Sequence, residues 1–198
     1  QFHKPTIIIA NHPFGVIDGI LLGQWTSQFS DEFKFLVNEA LCKDESLNRF
    51  FLPVDFRSTK AAALTNIQTK QSAKSALLNG EPIVIFPSGG VATSPKFWKP
   101  AEDLEWKRFV IRLIHSAKAD VIPIYFEGQN SRIFQMASSV HESLRMALLL
   151  REVTNKLNKS FNMRIGEVIS SDDLKLIGDV DQQLTFLRSA VLEMQQTA

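Results

Sequence analysis

One pattern constrains this chain before any other. Short β-branched or aromatic runs alternate with longer stretches of helical periodicity. Thr6–Ala10 is a five-residue run of Thr, Ile and Ala, the composition of a strand buried on both faces. The order then predicts a helix over 19–29, a strand over 33–37, helical spacing over 41–50 and a strand over 51–55. A long Ala-, Lys- and Gln-rich helix is expected over 61–78, with Gly80 where a C-terminal cap belongs. Strand 82–86, amphipathic helix 104–117, strand 121–126, helix 141–157, strand 163–169 and helix 181–195 complete the series. Strands separated by helices require crossover connections, and these produce an α/β sandwich with a largely parallel central sheet flanked by helices. No repeat or linker interrupts the order, so residues 1–198 read as one domain.

Composition removes several classes. Lys plus Arg total 22 and Asp plus Glu total 21, for a net charge of +1. A dedicated nucleic-acid binder is normally far more basic. The single cysteine, Cys42, excludes an internal disulfide and a cysteine zinc cluster, and fits a reducing compartment. No pair of histidines has metal-ligand spacing, so no metal is expected. No apolar run approaches the roughly 20 residues that span a bilayer. The chain begins on Gln1 rather than Met, as a piece cut from a longer protein would. Near-neutrality conceals an asymmetry. Residues 61–118 hold eight basic and four acidic side chains, whereas 171–198, a helical tail, hold two and five.

Two stretches break the regular pattern at the ends of predicted strands, where open α/β sheets place their sites. Asn11-His12-Pro13-Phe14-Gly15-Val16-Ile17-Asp18 follows the first strand. His12 and Asp18 are not helical neighbours, but a turn through Pro13 and Gly15 can fold one onto the other. Asp18 would then orient the imidazole and leave the second ring nitrogen to take a proton from an attacking hydroxyl or amine. The alternative is a helix-capping Asp18 beside an ordinary turn histidine. The second stretch, Phe86-Pro87-Ser88-Gly89-Gly90, allows a tight turn whose amides face a ligand. It is neither a Walker loop nor a Gly-x-Ser-x-Gly elbow.

Taken together these segments resemble the lysophospholipid and glycerol-phosphate acyltransferase superfamily. Asn11-His12 with Asp18 stands in the place of its first motif. The 51–55 segment ending in Asp55 stands in the second, Phe86-Pro87-Ser88-Gly89 in the third, and Val121-Ile122-Pro123-Ile124 in the fourth. Five residues rather than four separate His12 from Asp18, Ser88 replaces a Glu, and Arg57 follows Asp55 one position late. These departures are similar to a subgroup labelled haemolysin acyltransferases, related to ornithine-lipid synthesis. That subgroup also has blocks resembling 125–134, with Asn130, and 144–166. The resemblance covers residues 6–169.

The resemblance implies transfer of a fatty acyl group from acyl-CoA or acyl-carrier protein to a lipid hydroxyl or amine, with no tightly bound cofactor. His12 is the expected base and Asp18 its orienting partner. Asn11, Gly15, Asp55, Arg57, Pro87, Ser88, Gly89, Gly90 and Asn130 are the expected substrate contacts. Amides near Gly89 or at the start of the first helix are expected to hold the oxyanion. Glycerol 3-phosphate is the less expected acceptor, because the Glu and Arg positions that serve a phosphate are altered. Lys96, Phe97, Trp98 and Lys99 alternate cations with aromatics, a pattern suited to a lipid surface or an acidic carrier protein. The expected location is the cytoplasmic face of a bacterial-type membrane, attached peripherally. Two other readings compete. One is a catalytically silent lipid- or carrier-binding domain. The other is a serine lipase or thioesterase with Ser88 as nucleophile.

Overall fold

A computed structural model describes residues 2–42, 49–55, 57, 59–96, 98–140 and 142–195. Its centre is a six-stranded sheet of order β3-β2-β4-β1-β5-β6. The strands are β1 (Thr6–Ala10), β2 (Lys34–Asn38), β3 (Phe51–Val54), β4 (Ile83–Ile85), β5 (Asp120–Phe126) and β6 (Met163–Ile165). All neighbouring strands pair in parallel except β5 and β6. The α/β sandwich expected from the alternation is therefore the observed fold.

β1 lies between β4 and β5, and all five of its residues are buried. Ile7 and Ile9 face a core built with α2 (Lys60–Leu78), α3 (Phe109–Ala117) and α7 (Val180–Leu192), through Leu77, Ile111, Ile114 and Leu187. Ile8 and Ala10 face the opposite core, under α1 (Val16–Thr26), with Ile17, Leu22 and Phe126. A strand covered on both faces reads as an unbroken apolar run.

The placement of the helices follows from handedness. Crossovers between parallel strands are almost always right-handed. The β1-to-β2 connection moves one way along the sheet, and the β3-to-β4 and β4-to-β5 connections move the other. Crossovers of one hand that travel in opposite directions lie on opposite faces, as α1 and the α2–α3 pair do. The loops leaving the adjacent strands β1 and β4 therefore diverge. The crevice between them is the switch point where such sheets bind ligands.

The boundaries differ from expectation in instructive places. α1 starts at Val16 rather than residue 19 and ends at Thr26 rather than 29. The helix expected from 104 begins only at Phe109, because Lys107 N–H donates to the Pro87 carbonyl (2.9 Å) and holds the preceding segment against the β4 loop. α4 (Arg132–Val140) and α6 (Ser171–Leu176) were not expected as separate helices, and α5 runs Glu142–Asn155. The expected strand 163–169 is shortened to β6, with Ile169 bridging back to Val121. Gly80, at φ +84°, terminates α2 as expected. The helical spacing over 41–50 falls mostly on residues 43–48, outside the described residues. Among the described residues no helix is long and apolar enough to cross a membrane.

Candidate active site

Asn11 is the first residue past β1. Its Nδ2 donates to the Phe126 carbonyl (2.9 Å) and its Oδ1 accepts the Phe126 N–H (2.7 Å). The side chain thus imitates one more peptide of the β1–β5 ladder. It was expected to contact substrate. Instead it is buried and fixes the departure angle of the loop that carries His12.

Gly15 makes the turn that follows. Its φ is +81°, and a Cβ there would lie 3.0 Å from both Leu149 and Val91. A side chain there would be strained by the φ and crowded by both neighbours. The turn brings Asp18, in the first turn of α1, back over the loop. Asp18 Oδ2 accepts from Phe14 N (2.8 Å) and Gly15 N (2.9 Å) and lies 3.0 Å from His12 Nδ1. Asp18 therefore does both things that its position allows: it caps α1 and it orients His12. Gly15 shapes this turn, with its amide given to Asp18, and does not offer that amide to a substrate.

Asp18 is fully buried, and Oδ1 is buried with no partner among the described residues. Burial pushes its carboxyl above the ordinary 3.8, against the opposing pull of His12 and the two amides. The His12 ring stacks on Phe86 (centroids 3.9 Å apart, planes 21° apart), which joins the β1 loop to the β4 loop. With Nδ1 engaged, Nε2 has no hydrogen-bond partner among the described residues, and the side chain is 16% exposed. An imidazole held in this way keeps its second nitrogen available to accept a proton.

The backbone of His12 is fixed on both sides. Its N–H donates to Asp103 Oδ1 (3.0 Å), and its carbonyl accepts from Ala92 N (2.8 Å). Asp103 Oδ2 also accepts from Trp106 Nε1 (2.7 Å), and burial raises the Asp103 carboxyl despite these donors. Sequence reasoning missed Asp103. It lies 91 residues from His12, and the only local signal is a Trp three positions on.

The β4 loop shapes the site rather than supplying a nucleophile. Pro87 and Ser88 are buried. Ser88 Oγ donates to the Gly90 carbonyl (3.0 Å) and has no histidine partner among the described residues, so the serine-hydrolase alternative loses its base. Gly89, at φ +68°, donates its N–H to Phe86 O (2.9 Å). The Gly89, Phe14 and Gly15 amides are all occupied internally. The Gly90 amide makes no hydrogen bond among the described residues.

Asp55 and Arg57 are not brought to the site as an anion receptor. Arg57 Nε lies 2.9 and 3.1 Å from the two Asp55 oxygens, and Nη2 lies 2.6 Å from Asp55 Oδ2 and 2.8 Å from Glu39 Oε2. Two carboxylates neutralise this guanidinium. Asn66 clasps the Asp55 backbone through both of its amide atoms. Asn66 thereby ties the end of β3 to α2, and Arg57 ties it to Glu39.

Asn130 was also expected to meet substrate. It is 1% exposed, and its Oδ1 accepts from Lys156 Nζ (2.9 Å). Lys156 pairs with buried Glu152, which also binds the Ser131 hydroxyl and accepts the Ser131 N–H (3.0 Å). Burial pushes Glu152 up, and the bonds from Lys156 and Ser131 outweigh it and hold the carboxyl below its ordinary range. Lys156 also sits 5.5 Å over the Phe14 ring, so this network braces the His12 loop from beneath. Trp98 is 63% exposed with Lys96 over its ring, Lys99 is exposed, and Phe97 lies outside the described residues.

A histidine held by a buried acid at the switch point of a parallel sheet fits several chemistries. The comparison of sequences separates them. A family model described as Acyltransferase matches residues 4–197. The chain belongs to the acyltransferase family. It is also similar to two curated proteins, each called lyso-glycine lipid O-acyltransferase. The protein from Phocaeicola vulgatus is 27% identical over 169 residues, covering 81% of this chain and 58% of its own length. The protein from Bacteroides thetaiotaomicron is 28% identical over 169 residues, covering 81% and 59%. The chain thus spans less than two thirds of these relatives.

Proposed function

We propose that this chain transfers a fatty acyl group from a thioester, acyl-CoA or acyl-carrier protein, to the hydroxyl of a lyso-lipid. The observation that carries the reading is the 3.0 Å contact between His12 Nδ1 and buried Asp18, with Nε2 unpartnered among the described residues and the ring stacked on Phe86 of the β4 loop. Nε2 takes the proton of the acceptor hydroxyl as its oxygen attacks the thioester carbonyl carbon. The Gly90 N–H is the donor we assign to the developing oxyanion. It lies in the loop that touches His12 at both ends, through Phe86 and Ala92. The tetrahedral adduct then collapses, the C–S bond breaks, and the thiolate leaves with the proton held by the imidazolium. No covalent enzyme intermediate is needed. Burial raises the Cys42 thiol, which suits a bystander.

The relatives' name supports an oxygen acceptor over an amine and an amino-acid headgroup over glycerol 3-phosphate. The occupied Arg57 supports the same choice. Exposed Trp98, Lys96 and Lys99 support peripheral contact with the cytoplasmic face of a bacterial-type membrane. Sedimentation with anionic vesicles tests that contact, since alanine at Phe97 and Trp98 should weaken binding; unchanged binding contradicts it. The test of the reaction is transfer from labelled acyl-CoA and acyl-carrier protein to a panel of acceptors. The expected result is turnover of an amino-acid-headed lyso-lipid. Turnover of glycerol 3-phosphate alone, or thioester hydrolysis without transfer, contradicts the reading.

A further inference from the structure

Beside the His12 loop lies a second cleft, of about 210 Å³, between the loop carrying Ser94 and Lys99 and the first turn of α4. Its lining includes Ser94, Lys99, Gln129, Arg132 and Gln135. The Gln135 side chain is 2% exposed, and its Oε1 accepts the Ser94 N–H (2.8 Å). That bond fixes which end of the amide is which, so Nε2 is the donor left over. It is buried and has no partner among the described residues. The Ser94 hydroxyl is likewise buried without a partner among the described residues. Folded chains rarely leave buried donors unpaired, and two at one cleft call for an acceptor from outside.

The charges point the same way. Arg132 and Lys99 line the cleft, and no acidic side chain does. Among the described residues several arginines are ion-paired: Arg49 with Glu32, Arg57 with Asp55 and Glu39, Arg108 with Asp181, Arg164 with Glu127. Among the described residues neither Arg132 nor Lys99 makes an ion pair. The Gln129 amide is fixed by Ala101 N on its Oε1 (2.8 Å), which leaves its NH₂ end as a further donor. Donors, two uncompensated cations and the absence of a competing carboxylate form a receptor for an oxyanion.

The cleft is tied mechanically to His12. Thr93 and Glu102 exchange both backbone hydrogen bonds (3.1 and 3.0 Å) and close the loop that supplies Ser94 and Lys99. The residues on either side of that closure, Ala92 and Asp103, are the two that hold the His12 peptide. We infer that this cleft binds an oxyanion group of a substrate, a carboxylate or a phosphate, and so anchors that substrate relative to His12. The inference rests on the acyl-transfer reading for the word substrate. The group is either the anionic headgroup of the acceptor or a phosphate of the thioester carrier.

The experiment uses the full chain and its Lys99→Ala/Arg132→Ala variant, with folding checked by circular dichroism. Inorganic phosphate and acetate are titrated while the Gln135 side-chain amide resonances are followed. Saturable shifts in the parent that are lost in the variant are expected. Equal shifts in both, or none in either, overturn the site. Steady-state transfer then identifies the source. The KM of the anion-bearing substrate should rise at least about tenfold while kcat stays within about threefold, as loss of uniform binding requires. A raised KM for the acceptor assigns the headgroup, and a raised KM for the thioester assigns the carrier phosphate. If neither KM moves, the anchoring role is wrong. A chain that shows the phosphate-dependent shifts but transfers no acyl group refutes the proposed reaction and leaves the oxyanion site standing.

Discussion

The Oδ2 atom of Asp18 lies 3.0 Å from His12 Nδ1 and takes two backbone amides besides. One buried oxygen therefore sets the conformation of the β1–α1 turn and the orientation of the imidazole. The loop and the imidazole cannot be altered independently at this position.

Asp18→Asn separates charge from geometry. An asparagine oxygen can still accept all three N–H groups, but it cannot stabilise an imidazolium. The acyl-transfer rate should fall by roughly 10²–10⁴-fold, the range over which base catalysis is usually lost. The pH dependence of stability has a definite sign. Burial raises the Asp18 carboxyl above 3.8, so proton binding favours the folded chain. That stability is full below the unfolded value and lost as pH rises through the folded one. The midpoint of Asp18→Asn minus that of the parent should therefore increase from about pH 4 to about pH 7. Thermal melts across this range read it, and a difference that decreases would reverse the assignment.

Gly15→Ala imposes a side chain at φ +81° and 3.0 Å from Leu149 and Val91. The cost should be roughly 1–3 kcal/mol of unfolding free energy. Denaturant titration measures it. Transfer should fall as well, because the turn carries Asp18 to His12.

Asn11→Ala removes both partners of the Phe126 peptide. Leaving a buried peptide group unpaired costs roughly 1–3 kcal/mol. Hydrogen exchange at the Phe126 amide should accelerate more than exchange in the middle of β1. Uniform acceleration would make Asn11 an ordinary core residue.

Asp55→Asn tests the lock at the end of β3. The Arg57 guanidinium holds the Asp55 carboxyl well below the ordinary 3.8. A lowered folded value contributes stability above the unfolded value and loses it as pH falls. The parent should exceed the variant in denaturant midpoint at pH 7, and the gap should narrow as pH drops toward about 3. Transfer should change little. A large loss of activity in a stable variant would return Asp55 to the site.

The central strands were legible in the sequence because burial on both faces demands an unbroken apolar run, and Thr6–Ala10 is one. His12 and Asp18 were legible as a pair because Pro13 and Gly15 between them permit the turn. Asp103 and Gln135 were not, because their partners, His12 and Ser94, lie 91 and 41 residues away and only the fold brings them together. Residues 104–108 misled because their apolar spacing is helical, whereas Trp106 is held by Asp103 and Lys107 by Pro87. Arg57 misled for a related reason. A cation near a motif reads as an anion receptor until its carboxylate partners, one of them 18 residues upstream, are seen.

The central claim is that His12 Nε2 takes the acceptor's proton. The most direct measurement is labelled acyl transfer by purified His12→Ala, alongside its circular dichroism spectrum and melting midpoint. The account predicts a folded variant whose rate falls at least about 10²-fold, toward the uncatalysed background. A well-folded His12→Ala that transfers acyl groups at the parental rate would contradict it.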